Sequence, residues 1–256
     1  MPSHLALLSC LLVLLLSLDK FVLHYLKKRL FSGPRIPTGA PKSRRSMAAA
    51  AKWSETAMLV IDMQKDFVDP GMRSPMLVAG GEAVVPAVAE AVAVARQRGI
   101  FLVWELARSE TQFLGSLTKV VREHDPSGRD VELFRRHHYS AGKGPTVKGL
   151  KGAELADGLV IKKGEYKLVK TRFSAFFATH LDSVLKTAGI KNLVIVGVQT
   201  PNCIRQTVFD AVALDYEKIT VLIDATAAAR PEIHLSNIRD MKNIGVETPT
   251  LEEWRR

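Results

Sequence analysis

The sequence predicts an α/β fold, specifically a three-layer α/β/α domain around a mostly parallel sheet of six strands. Two observations carry this prediction. Short, continuously apolar segments recur along the chain, as is typical of strands that are buried on both faces of a parallel sheet. Segments with helical spacing of apolar residues separate most of them, and such alternation favours right-handed crossovers between parallel strands.

Six segments are predicted to be strands because they are short and rich in Val, Ile, Leu or aromatic residues. The first, AMLVI, has no polar residue at all. In chain order they are Ala57–Ile61, Phe101–Trp104, Tyr166–Lys170, Leu193–Val198, Ile219–Ile223 and a short sixth strand beginning at Val246.

Four segments are predicted to be helices: Glu82–Arg98, Phe177–Ala188, Cys203–Leu214 and Pro231–Lys242. The first has apolar residues on one stripe, namely Val84, Val88, Ala91, Val92 and Ala95. Gly99 and Gly189 follow the first two helices, and glycine just after a helix is a typical stop signal.

Residues 105–119 (ELARSETQFLGSLTK) fit this alternation badly. The pieces on either side, FLVW and VVREHD, are each short for a buried strand but would make one strand of normal length if joined. We therefore expect an insertion within or beside the second strand, either a surface excursion or an exon-boundary error.

Composition excludes several classes of protein. The chain has 256 residues, of which 47% are hydrophobic and 24% charged, so it is neither disordered nor collagenous. Only two cysteines occur, Cys10 and Cys203, so no disulfide framework is expected and a reducing, cytoplasmic location is the default.

The net charge of +10 is concentrated at the start of the chain. Residues 1–46 hold eight Lys and Arg against Asp19, so the remaining 210 residues carry only +3. That remainder has no polyanion footprint, and we expect no nucleic-acid partner.

We expect two parts: an extension at 1–46 and a globular domain at 47–256. Within the extension, an apolar run from Leu5 to Leu18 is followed by a basic cluster and a Pro- and Ser-containing linker. The extension is compatible with a membrane anchor, with an organelle transit peptide, or with a mispredicted start upstream of Met47. A membrane or organellar location therefore depends on whether the extension is part of the mature protein.

Polar residues with chemical potential follow three of the predicted strands. Asp62 follows the first strand, Lys170 closes the third, and Cys203 comes after the fourth through GVQTPNC. Open parallel sheets place their sites at the carboxyl ends of the strands. An acid, a base and a thiol at that edge predict nucleophilic catalysis by cysteine.

The segment around Cys203 is the most informative of the three. Thr200 is predicted to cap the helix and Pro201 to take its first position, so that Cys203 lies in the first turn. There the helix dipole lowers the pKa of a thiol and favours an oxyanion. Each residue also has a plainer interpretation: Cys203 as a small buried hydrophobe, Asp62 as a helix cap, and Lys170 as a surface lysine on an edge strand.

A metal site is the weaker alternative. His124, His137 and His138 lie near Glu123 and Asp125 in sequence, but their spacing matches no strong ligand signature. We therefore predict no metal ion and no cofactor.

Three motifs together resemble a known family. VIDMQKDF around Asp62, VKTRFSAF around Lys170 and GVQTPNCIRQTVFDAVALDY around Cys203 are similar to the isochorismatase-like cysteine hydrolases, which include nicotinamidases, N-carbamoylsarcosine amidase and ureidoacrylate amidohydrolases. The resemblance covers about residues 55–250, and it is greatest to nicotinamidase-like plant members.

The resemblance implies a Rossmann-like sheet of order 3-2-1-4-5-6 and a triad of Asp62, Lys170 and Cys203. Asp62 would take the thiol proton, Cys203 would attack an amide carbonyl, and Lys170 would hold the two in register. Backbone N–H groups of Gln199 and Cys203 would bind the oxyanion, beside a cis peptide bond between Val198 and Gln199. A cysteine argues against the isochorismate vinyl ether as substrate, because members that cleave only that compound lack it.

The pocket residues depart from the family pattern. Metal-dependent nicotinamidases carry an Asp-Trp-His segment where this chain has Arg122-Glu123-His124-Asp125, which argues against nicotinamide as the substrate. Phe67 is expected to line the pocket. Arg122 is expected to pair with a substrate carboxylate, since a guanidinium suits bidentate contact.

The sequence thus predicts an enzyme that cleaves a C–N bond of a small amide or ureido compound through a Cys203 thioester and releases ammonia. Its partner would be that small molecule, and a homo-oligomer is also expected from the resemblance. The alternative is a catalytically inactive member of the same fold that serves as a binding or scaffold protein.

Overall fold

A computed structural model describes residues 53–106, 124–125, 127–140 and 143–256. The extension at 1–46, residues 107–119 of the expected insertion, and Arg122 lie outside the described residues. No helix in the described part of the chain has both the length and the apolar composition needed to cross a membrane.

The described part is an α/β fold with a five-stranded sheet in which every pair of neighbours is parallel. The strands are β1 Thr56–Ile61, β2 Phe101–Leu106, β3 Tyr166–Val169, β4 Asn192–Val198 and β5 Lys218–Ala227, in the order β3-β2-β1-β4-β5. The predicted fold class and the order of these five strands are confirmed.

Six α-helices accompany the sheet in the described residues: α1 Lys65–Val68, α2 Gly81–Arg98, α3 Leu181–Thr187, α4 Arg205–Ala213, α5 Pro231–Asn243 and α6 Leu251–Arg255. Short 3₁₀ turns lie at Pro70–Met72, Leu133–His138 and Lys151–Ala153, and a π-helical turn at Thr200–Ile204 leads into α4.

Alternating residues of β1, β2, β4 and β5 enter two separate cores, one on each face of the sheet. Met58 and Val60 of β1 pack on the face covered by α2, together with the predicted apolar stripe of that helix. Leu59 and Ile61 pack on the other face, against α3, α4 and α5. Strands buried on both faces explain why their sequences have almost no polar residues.

The predicted sixth strand is wrong as a strand. Beyond Val246 the chain makes one isolated parallel bridge, from Glu247 to Thr220 of β5. Pro249 has no N–H to continue a ladder, and Thr250 already caps α6 through a reciprocal capping box with Glu253. The segment lies where a sixth strand would lie but is too short to form one.

Two element boundaries also differ from the prediction. β2 extends to Leu106, so it has normal strand length without any contribution from VVREHD. The helix predicted from Phe177 begins only at Leu181. Ala178 has a positive φ of 53°, and the Thr179 hydroxyl donates to the carbonyl of Ala175, so local side-chain bonding replaces the first helical turn.

Candidate active site

The carboxyl ends of β1 and β3 bring Asp62 and Lys170 into contact. Lys170 Nζ lies 3.0 Å from Asp62 Oδ2, although 107 residues separate the two in the chain. Both residues are only 1% exposed. The sequence prediction that these two side chains meet at one edge of the sheet is confirmed.

Asp62 adopts an unusual backbone conformation. Its φ is 49°, in the left-handed region that few residues other than glycine occupy, although aspartate is among the more tolerant. The turn lets the N–H of Gln64 donate to the carbonyl of Asp62 at 2.8 Å. The chain therefore bends at the end of β1, and such strained positions cluster at functional sites.

The ammonium of Lys170 has a second acceptor besides Asp62. It donates to the backbone carbonyl of Arg172 at 3.1 Å. A buried ammonium is stable only with a charged partner and further hydrogen bonds, and Lys170 has both.

Gly197 allows the end of β4 to approach β1 closely. It is paired with Ile61 in the sheet and has a φ of +113°. A Cβ at this position would lie 2.1 Å from the carbonyl oxygen of Ile61. Only glycine therefore lets β4 leave the sheet beside Asp62, and this close approach places the following Cys203 segment at the same edge.

Cys203 lies in the first turn of the helical segment after β4, as predicted. It forms no disulfide within the described part of the chain and is 3% exposed. The peptide bond between Val198 and Gln199 is cis, which confirms the expectation from the family resemblance. The turn at Thr200–Ile204 is π-helical, a rare form that often occurs at functional sites.

The predicted capping role of Thr200 is wrong. Gln199 takes the capping position without a side-chain bond, and its carbonyl accepts from the N–H groups of Asn202 and Ile204. The Thr200 hydroxyl instead lies 2.9 Å from Nδ1 of His234. A tertiary contact has replaced the local cap.

His234, on α5, was not predicted from the sequence. Burial lowers the pKa of its imidazole, and a hydrogen bond with the backbone of Ile223 opposes this in part. A neutral ring can accept from the Thr200 hydroxyl, so His234 ties the turn that carries Cys203 to β5. No signal in the sequence points to this pairing, because it depends on how α5 packs.

The structure describes one of the two predicted pocket residues. Phe67 lies in α1, is 4% exposed, and packs in the core on the α2 face of the sheet. Its role in lining a pocket stays a prediction. Arg122 lies outside the described residues, so its pairing with a substrate carboxylate also stays a prediction.

The histidines considered for a metal site do not form one together. His124 is buried with Nδ1 3.2 Å from Asp130 Oδ1, and the rings of His137 and His138 contact each other. Within the described ranges, no three His, Cys, Asp or Glu side chains are arranged to hold an ion. We therefore derive no step through a metal.

Two surface grooves, of about 320 and 270 Å³, lie at the amino ends of the strands, opposite the end that carries Asp62 and Lys170. They share Asp215, Tyr216 and Glu217, which precede β5. Neither groove includes Asp62, Lys170 or Cys203. These two grooves and the contact between Asp62 and Lys170 are thus at opposite ends of the strands.

A family model described as the isochorismatase domain matches residues 56–253, nearly all of the described part of the chain. A protein of Arabidopsis thaliana described as a probable inactive nicotinamidase is 60% identical over 207 residues, which are 80% of this chain and 97% of that protein.

Solved structures agree. An isochorismatase family protein from Desulfovibrio vulgaris is 40% identical, with a TM-score of 0.70 over 78% of this chain and 96% of its own. An isochorismatase-like hydrolase from Alkaliphilus metalliredigens is 29% identical, with a TM-score of 0.59 over 78% of this chain and 94% of its own.

Proposed function

Because the chain belongs to the isochorismatase family, a family of hydrolases, we propose that it cleaves a C–N bond of a small amide or ureido compound through a Cys203 thioester. The observation that carries the proposal is the buried contact between Lys170 Nζ and Asp62 Oδ2, at the sheet edge where the turn after β4 carries Cys203. Buried charges are costly, and a lysine–aspartate pair beside a thiol is well suited to activate it.

The first half of the reaction forms the thioester. The Asp62 carboxylate takes the proton of the Cys203 thiol, and the sulfur attacks the carbonyl carbon of the substrate. The negative charge that develops on the carbonyl oxygen is stabilised by the backbone N–H groups of Gln199 and Cys203. The C–N bond then breaks, and the proton held by Asp62 goes to the leaving nitrogen, which departs as ammonia.

The second half releases the product. A water molecule attacks the thioester carbonyl while Asp62 accepts one of its protons. The C–S bond breaks, the acid leaves, and the proton returns to the sulfur. Lys170 keeps its positive charge throughout and holds the carboxylate in position, so that the same group serves as base in both halves.

Nicotinamide is not the substrate that we propose. The Arabidopsis relative is described as a probable inactive nicotinamidase, and this chain has Arg122-Glu123-His124-Asp125 in place of the Asp-Trp-His segment of metal-dependent nicotinamidases. In addition, Nδ1 of the buried His124 is occupied by Asp130. We propose amides or ureido acids that need no metal ion.

A second candidate is a binding or scaffold protein that keeps the fold without turnover. The description of the Arabidopsis relative as probably inactive favours it. The two candidates differ in the state of Cys203: an enzyme needs an activated thiol, whereas a scaffold needs only a small buried side chain.

The test is ammonia release over a panel of nicotinamide, N-carbamoyl amino acids and ureidoacrylate-like compounds. We expect turnover of at least one ureido or amide compound by the wild-type protein and its loss in Cys203→Ala. Cys10→Ala is the matched control, since it removes the other cysteine of the chain, and it should keep full activity. Turnover that survives Cys203→Ala would refute the thioester.

If no compound on the panel is turned over, the reactivity of Cys203 decides between the candidates. An activated thiol would direct the search to other amides. A thiol that reacts no faster than in the unfolded chain would favour the scaffold.

A further inference from the structure

The second acceptor of the Lys170 ammonium draws attention to Arg172. A lysine ammonium has three donors on a flexible stem, so one contact alone does not fix its direction. Here Nζ contacts Asp62 Oδ2 at 3.0 Å and the carbonyl of Arg172 at 3.1 Å. The position of that carbonyl therefore helps to decide where the positive charge sits relative to Asp62.

The side chain of Arg172 fixes its own backbone. Nη1 donates to the carbonyl of Thr171 at 2.9 Å and to the carbonyl of Asp130 at 2.5 Å. The first bond holds the turn just after Lys170, and the second ties that turn to a different part of the chain. Arg172 thus links the Lys170 ammonium, through its backbone, to the loop that contains Asp130.

Asp130 is firmly held in turn. Its carboxylate accepts from the N–H of Asp125 and contacts Nδ1 of the buried His124 at 3.2 Å. Burial alone would raise the pKa of the Asp130 carboxyl. The hydrogen bond with His124 and the charge of His124 outweigh burial, so the pKa is lowered. The ionised carboxylate is therefore the stable form, and the loop is an anchored support.

The same contacts return to the segment that follows Asp62. The N–H of His124 donates to the carbonyl of Thr146, and the N–H of Thr146 donates to Asp66 Oδ2 at 2.5 Å. Asp66 comes four residues after Asp62. Two routes therefore join the ends of β1 and β3. The first is the direct contact between Asp62 and Lys170. The second runs from Lys170 through Arg172, Asp130, His124, Thr146 and Asp66.

We propose that Arg172 is a positioning residue for the reaction, which sets the direction of the Lys170 ammonium by clamping the turn after β3 onto Asp130. The proposal rests on the proposed function of Cys203. Arg172 itself touches none of the reacting atoms. It acts through its carbonyl on Lys170 and through Lys170 on Asp62.

The test compares Arg172→Met with Arg96→Met. Arg96 is a matched control because its guanidinium also ties down a loop, at the carbonyl of Val160 and at Glu165, which precedes β3 and so lies at the opposite end of that strand from Lys170. Both variants should lose some thermal stability. Only Arg172→Met should disturb the active site.

We expect three effects of Arg172→Met on the site. The kcat should fall about 10- to 100-fold with KM nearly unchanged, since misplacing a group by about 1 Å costs up to about 100-fold. The rate of Cys203 alkylation by iodoacetamide should fall at neutral pH, with the midpoint of its pH profile moved to higher pH. Arg172→Lys, which keeps one donor group, should restore part of both.

If Arg172→Met matches Arg96→Met in kcat and in the pH profile of alkylation, the proposal is overturned. If Arg172→Met does not fold, Arg172→Lys is compared with Arg96→Met instead, and it should show a smaller change in the same direction.

A double-mutant cycle separates this failure from failure of the proposed function. If Arg172 holds Lys170, the loss in Tm caused by Arg172→Met should be smaller in a Lys170→Met background. The cycle needs neither turnover nor a reactive thiol. Should wild-type Cys203 prove unreactive, the proposed function fails, and additive losses in Tm would then overturn the role of Arg172 as well.

Discussion

Asp62 and Lys170 form an ion pair whose two residues are each only 1% exposed, and stability alone does not explain why such a pair is present. Burying two charges costs several kcal/mol per ion before their attraction offsets it, and apolar replacements are often as stable. A buried pair at the sheet edge that also carries Cys203 is therefore better explained by the proposed proton transfer than by stability.

The pair makes a prediction about stability at the residue scale. Asp62→Asn or Lys170→Met alone should lower the free energy of unfolding by about 3–5 kcal/mol, because each leaves the other charge buried without its partner. The double variant should recover much of that loss while remaining inactive. Urea unfolding measures all three.

The exposed pair of Arg205 and Asp240 provides the control, with a contact of 3.4 Å and side chains 36% and 56% exposed. Breaking it should cost at most about 1 kcal/mol. A double variant of Asp62 and Lys170 that loses the full sum of the single losses would show that the two charges do not depend on each other.

Sequence reasoning worked for residues whose position follows from strand ends and failed where tertiary contacts decide. Asp62 and Lys170 could be predicted to meet because parallel strands bring their carboxyl ends to one edge. The role of Thr200 was wrong because its hydroxyl bonds to His234 on α5 rather than to its own helix. The contact of Arg172 could not be predicted because its partner is the backbone carbonyl of Asp130, which any residue at that position would supply.

At the scale of elements, the site depends on how closely β4 approaches β1. Gly197 lies against the carbonyl of Ile61, one residue before Asp62. The same strand then passes through the cis peptide bond into the turn that carries Cys203. The geometry of the acid and of the thiol therefore depends on a single position without a side chain.

Gly197→Ala should be severe for that reason. The added Cβ would meet backbone at 2.1 Å, and the φ of +113° disfavours any side chain, so β1 and β4 must separate. We expect a loss of several kcal/mol in unfolding free energy, with loss of Cys203 reactivity. Chemical unfolding and thiol labelling measure the two effects.

Gly99→Ala is the matched control, since Gly99 also has a positive φ, of +68°, but its Cβ would meet nothing within 4 Å. It should cost only about 1–2 kcal/mol and leave the thiol unchanged. Equal losses in the two variants would mean that close packing at Gly197 is unimportant.

Periodicity predicted the elements better than their limits. The apolar stripe of α2 and its stop at Gly99 could be read from spacing, because packing and helix geometry favour the same structure there. The start of α3 could not be predicted, because the hydroxyl groups of Ser174 and Thr179 form local hydrogen bonds that compete with helix formation. The prediction of a sixth strand was wrong because Pro249 has no N–H for a ladder and Thr250 already caps α6.

At the scale of the whole molecule, one sheet lies between two cores, and the residues of the proposed site lie at its carboxyl edge. Cys203 packs with the core on the face of α3, α4 and α5, while the segment after Asp62, with Met63 and Phe67, packs with the core on the face of α2. The fold class could be predicted because apolar segments mark the buried strands, and the family could be predicted from the three motifs around Asp62, Lys170 and Cys203. Whether Cys203 is an activated nucleophile or a buried hydrophobe is a property of the assembled site.

The most direct measurement is the rate at which iodoacetamide, which is itself a small amide, alkylates Cys203 in the native Cys10→Ala protein compared with the unfolded one. We predict faster alkylation in the native protein, although Cys203 is only 3% exposed, because Asp62 and Lys170 are proposed to activate the thiol. Alkylation that is slower in the native protein, as burial alone requires of a structural cysteine, would contradict the catalytic role of Cys203.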